Sequence, residues 1–226
     1  MNKYEVKGGS LPVLKVTMNK GSKIFSDKGD MIWQSENILM QTSTRGGLLK
    51  GLGRSFSGES MFLNTFESKE DNQEIAFAPS VPGSIKLFEL KDNQSIIAQK
   101  NSFMMGEEGI ELKVAFTKKI TSGLLGGEGF ILQKISGKGV FALEIDGHYE
   151  EKDLKEGETL LVDQGHVAFF TENVKYEIVT VKGIKNKLLG GEGLFLVKLT
   201  GPGKVGLQSM PVSSLAGEIR RFIPSK

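Results

Sequence analysis

Cysteine is absent from the 226 residues, which excludes disulfides, thiol nucleophiles and thiolate metal sites together. Proline is scarce, at six residues, so a Gly content of 29 residues, well above the typical ~7 %, signals a turn-rich folded chain and not a disordered Pro/Gly tract. Charge of one sign is also missing. Basic residues number 29 and acidic residues 27, a formal net charge of +2, so no global field announces nucleic acid or an acidic partner. No stretch approaches the ~18–20 apolar residues of a membrane span. The opening MNKYEVKGGSLPVLKV lacks the charged and then apolar regions of a secretory signal. These features predict a soluble, cytoplasmic protein.

What is present is repetition. LLGGEGFILQKISGKG at 124–139 returns as LLGGEGLFLVKLTGPG at 188–203. The same offset carries SIIAQKNSFMM (95–105) onto TLLVDQGHVAFF (159–170), with Ile96 on Leu160 and Ile97 on Leu161, and VAFTK (114–118) onto IVTVK (178–182). A weaker third copy is visible. KIFSDKGDMIW (23–33) shares the Asp-x-Gly of Asp27 and Gly29 with Asp163 and Gly165 of the last copy, and SGESMFLNTF (57–66) resembles the Gly-Glu-Gly stretches. Glu59, Glu128 and Glu192 are then equivalent. A unit of roughly 64–72 residues exceeds the usual solenoid periods of ~20–50 residues, so each copy is a β unit of its own.

Within a unit the signals are nearly all β. ELKVAF (111–116) alternates Leu112, Val114 and Phe116 against Glu111 and Lys113. KYEIVTV (175–181) reads as a strand covered on both faces, and GFILQKI and GLFLVKL as buried strands. Asp146-Gly147 is a hairpin signal and Glu156-Gly157 a charged turn. One helix is expected, at the end. SSLAGEIRRFIPS offers a Ser cap, Leu215, Ile219 and Phe222 at helical spacing and a stop at Pro224, and it would latch the last unit. Trp33 and the Met104/Met105 pair read as core.

These motifs, above all Gly-Glu-Gly-Leu-Phe at 191–195 and Gly-Pro-Gly at 201–203, resemble the altered-inheritance-of-mitochondria (mitochondrial biogenesis) family over essentially the whole chain. The resemblance implies an all-β fold of three β-sandwich units, each a short double-stranded β-helix, with pseudo-threefold symmetry and a short C-terminal helix. It groups the fold with the tryptophan RNA-binding attenuator protein, which assembles as a ring, and it implies a homo-oligomer, a trimer. The approximate repeats are 1–80, 81–146 and 147–211, with the helix in 212–226. The family supplies no catalytic residues, and an organelle role does not transfer to a chain that shows no mitochondrial presequence.

Three groups of residues are candidates for function. The repeated turn comprises Gly58 and Glu59, then Gly127, Glu128 and Gly129, then Gly191, Glu192 and Gly193. Glycine there supplies a positive-φ turn. Its glutamates either accept backbone N–H groups or form a carboxylate ring for a cation or basic partner. A phosphate cradle is disfavoured, because a central carboxylate repels anions and no Gly-Lys-Ser/Thr follows. Before each turn lie cations among leucines, namely Arg45, Lys50 and Arg54, then Lys118 and Lys119, then Lys182, Lys185 and Lys187. They are either solvated loops or a basic rim for anionic lipid headgroups or RNA. Stacking on nucleic acid wants exposed aromatics, and these loops offer only Phe56, so lipid or protein is favoured and DNA is not expected. Metal chemistry on a β-helix needs clustered histidines with a carboxylate. His148 and His166 stand apart, and neither recurs in another copy. No Gly-x-Ser-x-Gly elbow accompanies them. No cofactor, metal or catalytic residue is expected, and the reading is a binding or scaffold module. A ring-type regulator of a small ligand or RNA, and an enzyme on a β-helix fold, stand as alternatives.

Overall fold

The computed structural model describes residues 1–26, 30–44, 62–118, 130–180 and 195–223. They form nineteen β-strands and one α-helix, so the expected all-β class holds. The first group of strands is β1 (Lys3–Lys7), β2 (Val13–Met18), β3 (Lys23–Ser26), β4 (Met31–Gln34), β5 (Ile38–Thr44), β6 (Phe62–Ser68) and β7 (Gln73–Phe77). The second is β8 (Gly83–Leu90), β9 (Ser95–Gln99), β10 (Phe103–Glu107), β11 (Ile110–Lys118), β12 (Phe130–Gly137) and β13 (Gly139–Asp146). The third is β14 (Tyr149–Leu154), β15 (Thr159–Asp163), β16 (Val167–Thr171), β17 (Lys175–Thr180), β18 (Phe195–Thr200) and β19 (Gly203–Gln208), before helix α1 (Val212–Arg220). No described helix is long and apolar enough to cross a membrane.

Four antiparallel sheets result, with strand orders β1-β2-β7-β4, β5-β6-β3-β10-β13-β8, β11-β12-β9-β16-β19-β14 and β15-β18-β17. Alternation explains the simplest strand. In β2, Leu14, Val16 and Met18 are fully buried while Val13, Lys15 and Thr17 are half-buried, the period-2 signature of a strand with one face on the core. Interior strands β13 and β16 carry the longer apolar runs, Val-Phe-Ala-Leu and Val-Ala-Phe-Phe, as strands flanked on both sides should.

The same pairings recur in each group. β5 pairs β6, β3 pairs β6, β2 pairs β7 and β4 pairs β7. The second group repeats this with β11·β12, β9·β12, β8·β13 and β10·β13. The third does so with β17·β18, β15·β18, β14·β19 and β16·β19. A bulge falls at one equivalent place in each, between Met31 and Trp33, Phe103 and Met105, and Val167 and Phe169. Consecutive groups are joined by β3·β10 and by β9·β16.

The cores are shared across those joints. The cluster around Phe66 and Phe77 takes in Met104 and Met105 from β10. The cluster around Phe103 and Phe141 takes in Ala168 and Phe169 from β16. The third, around Phe170 and Val197, reaches back to Ile97 and Leu132.

Five sequence expectations need correction. Trp33 is 43 % exposed, because β4 is the outer strand of its sheet; the methionine pair is fully buried as expected. Val114 is exposed, since β11 is an outer strand. Outer strand β17 is likewise only half-covered, with Tyr176, Ile178 and Val179 partly buried. Asp146-Gly147 makes no hairpin. β13 and β14 lie in different sheets, and Gly147, at φ +76°, turns the chain between them against Ser209 and Met210. Finally, α1 has Pro211 at its cap with no capping side chain. Of the expected apolar face, Leu215 is half-buried, while Ile219 and, just past the helix, Phe222 are exposed, so the helix does not latch the last unit by full burial.

Candidate functional site

In sequence, the repeated Gly-Glu-Gly stretches fall between the paired strands of three ladders. Ladder β5·β6 ends at Thr44↔Phe62, β11·β12 at Lys118↔Phe130 and β17·β18 at Thr180↔Phe195. The Gly-Glu-Gly residues Gly58, Glu59, Gly127, Glu128, Gly129, Gly191, Glu192 and Gly193 lie outside the described residues. So do Arg45, Lys50, Arg54, Lys119, Lys182, Lys185 and Lys187; Lys118 is the last residue of β11. The flanking strands nevertheless fix an offset. Ile24↔Phe66, Ile96↔Ile135 and Leu160↔Leu199 occupy matching positions in the three groups. Counting back along each central strand from Phe66, Ile135 and Leu199, the same number of residues leads to Glu59, Glu128 and Glu192.

The histidines are placed separately in the chain and bonded differently. His148 is exposed at the turn after β13, and its backbone N–H donates to Ser209 Oγ at 2.8 Å. His166 ends a 3-10 turn at Gln164–His166, and its Nδ1–H donates to the Gln208 carbonyl at 2.7 Å. The carbonyl only accepts, so the proton sits on Nδ1. Buried Gln208 completes the junction. Its Nε2 donates to the Gly165 carbonyl at 2.8 Å and its Oε1 accepts from Asp146 N–H at 3.2 Å. Among the described residues, no three His, Asp or Glu side chains are grouped to hold a metal ion.

Acidic side chains at the joints are what the sequence reading missed. Glu172, just after β16, accepts from Ser95 Oγ and from Lys134 Nζ, and these contacts hold its carboxyl below the usual range. Glu108, at the matching place after β10, lies 4.0 Å from Lys23 Nζ. Counted from the bulges, Glu36 stands at that place after β4. The signal was available, since Glu36, Glu108 and Glu172 share the repeat offsets, but without strand pairing nothing marked them as joint residues. Glu151 forms a second cluster. It accepts from Lys204 Nζ at 2.6 Å and from the Tyr149 hydroxyl, with Lys86 Nζ at 3.5 Å. Lys204 first, then Tyr149, pull its carboxyl down to about 2 against its burial. In the middle of the chain, Glu107 fastens the amino-terminal strand. It accepts from Tyr4 Oη and from Asn2 Nδ2, and also from Val140 N–H at 2.9 Å.

One cleft, of about 460 Å³, opens at the β9·β16 joint, lined in part by Phe88, Gln94, Ser95, Ile96, Glu172 and Lys204. It mixes ring and aliphatic surface with charge.

The profile described as mitochondrial biogenesis AIM24 matches residues 4–210. The chain belongs to the AIM24 family. Among curated proteins it is 27 % identical over 222 residues to an uncharacterized protein of Streptococcus pyogenes serotype M6, covering 95 % of this chain and 88 % of that one. Among solved structures it matches an X-ray structure of a Streptococcus pyogenes protein with a TM-score of 0.78 and 24 % identity, covering 99 % of this chain and 100 % of that one. At that identity the likeness supports the fold alone.

Proposed function

We propose that this AIM24-family chain is a non-catalytic, cytoplasmic scaffold. It comprises three copies of one β-sandwich unit related by a pseudo-threefold, and it assembles with further copies of itself. The observation that carries the reading is the recurrence of one pairing scheme, bulge included, in three consecutive groups of strands. We set the repeat boundaries near residues 80 and 146, between those groups of strands. A catalytic centre needs one oriented constellation, whereas triplicated hairpins suit display of the same surface several times over.

The surface we assign to display is the basic, leucine-bearing stretch of sequence that links the two strands of each ladder, and its partner is an anionic lipid surface. Cations near such a surface are worth about 1 kcal/mol each, and apolar tips add shallow insertion. Binding by one such stretch is weak and is multiplied by the others. The test is co-sedimentation with vesicles of phosphatidylserine and phosphatidylcholine at low salt. The parent protein sediments, and a variant with Lys50, Arg54, Lys185 and Lys187 replaced by Ser stays in solution with its oligomer intact. A parent protein that never sediments overturns the lipid reading.

The cleft at the β9·β16 joint favours a second reading, in which a small effector bound between units regulates the assembly. Its position between two groups, and not its polarity, is what recommends it. A search for small-molecule-induced thermal stabilisation, lost in Ser95→Trp, tests it.

A further inference from the structure

Two joints of the same kind are made within the chain, and the parts of a third are present but unjoined. β3 and β9 each pair with the next group's β10 and β16. The matching strand of the third group is β15, which ends its sheet, and the matching strand of the first group is β4, which ends another. Among the described residues β4 and β15 have no pairing with each other.

Exposure marks the same two strands. Phe25 and Ile97, at the made joints, are 3 % and 8 % exposed, while their counterpart Leu161 is 57 % exposed. Met105 and Phe169 are buried, while their counterpart Trp33 is 43 % exposed; Met104 and Ala168 are buried, while Ile32 is 50 % exposed. Open strand edges bearing apolar side chains invite pairing with another chain.

We infer that β4 of one copy pairs antiparallel with β15 of a second copy, in the register of the two internal joints. Those joints align Met105↔Ser26, Gly106↔Phe25 and Glu107↔Ile24, and Phe169↔Ala98, Phe170↔Ile97 and Thr171↔Ile96. Transferred through the ladders, the third joint aligns Trp33 with Val162, Gln34 with Leu161 and Ser35 with Leu160. The charges match as well. At the β9·β16 joint, Glu172 meets the Ser95 hydroxyl and Lys134. At the corresponding places the third joint brings Glu36 to the Thr159 hydroxyl and Lys198. Glu36 is exposed in the single chain. The contact is head to tail, so it closes into a ring or extends as a filament according to the rotation per copy.

This deepens the self-assembly part of the proposed function and rests on it. The absence of native cysteine makes the test clean. A chain carrying both Gln34→Cys and Leu161→Cys, treated with a short bis-maleimide, gives covalent dimers and larger species, while each single substitution gives none. Glu36→Lys, at an exposed site, weakens association at least tenfold by light scattering with an unchanged circular dichroism spectrum, and adding Lys198→Glu restores it. A cross-link confined to monomer mass overturns the inference by closing the joint within one chain. An oligomer that neither cross-links nor responds to Glu36→Lys overturns this joint while leaving self-assembly standing. A parent protein monomeric at micromolar concentration overturns both, and vesicle binding is read independently of either.

Discussion

Phe88 and Phe169 meet edge to face with ring centroids 4.8 Å apart, although one belongs to β8 and the other to β16 of the following group. Phe141 stacks on Phe88 at 4.9 Å, and Tyr149 lies against Phe169 at 6.0 Å. The second joint is therefore packed as well as hydrogen-bonded. Such ring pairs contribute about 0.5–1.5 kcal/mol beyond the area that they bury. Phe169 is only 1 % exposed. Phe169→Ala should cost about 3–5 kcal/mol, read as a lower denaturation midpoint. A loss below 1 kcal/mol would mean that the joint contributes little to stability.

Gly206 is the reason Phe169 fits. A Cβ placed on Gly206 would lie 2.1 Å from Cε1 of the Phe169 ring, closer than real atoms approach. Gly206→Ala should destabilise by about 1–3 kcal/mol, as overpacking does. Combined with Phe169→Leu, the two losses should fall short of their sum, because the smaller side chain relieves the clash. Strict additivity would place the strain elsewhere.

Much of this fold was legible because repetition multiplies weak signals. Ile96 on Leu160 and Ile97 on Leu161 were aligned by spacing alone, and the ladders place each pair at matching positions. Neither residue type, which points Trp33 to the core, nor alternation, which points Val114 inward, says which strands end a sheet, and both residues are exposed on outer strands. Strand order decides that, and strand order is a long-range property. The same limit hid Glu36, Glu108 and Glu172, whose meaning depends on partners far along the chain.

Acid should weaken the protein through Glu151. Its folded carboxyl titrates at about 2 against an ordinary value of 4.5, held down by Lys204 and Tyr149. The stabilisation is fully present above about pH 4.5 and is lost as pH falls towards 2. Glu151→Gln should flatten that part of the stability profile and cost about 0.5–1 kcal/mol at neutral pH, as a partly exposed ion pair does. Glu172 and Glu67 are also held low, so the slope should shrink without vanishing. Chemical denaturation of both proteins between pH 2.5 and 7, buffer limits of the experiment and not of the protein, checks this; parallel curves would reject it.

The terminal helix gives the sharpest contrast between sequence expectation and structure. A latch would bury its apolar residues, each worth about 1.5–3 kcal/mol, and deleting it would be ruinous. Instead Val212, Ile219 and Phe222 are exposed. Buried Pro211 packs near Gly165, and the Val212 N–H donates to Asp146 Oδ2 at 2.7 Å. Burial pushes the Asp146 carboxyl up while that N–H opposes it. Removing residues from Val212 onward should therefore cost about 1 kcal/mol, which for a chain of this size lowers Tm by about 2–4 °C. Val212→Pro isolates the bond, because proline is tolerated in the first turn of a helix but has no N–H to donate. It should reproduce most of the loss while keeping the helix. A Tm drop beyond about 10 °C on truncation would restore the latch, whereas no change in either variant would show that Asp146 holds nothing.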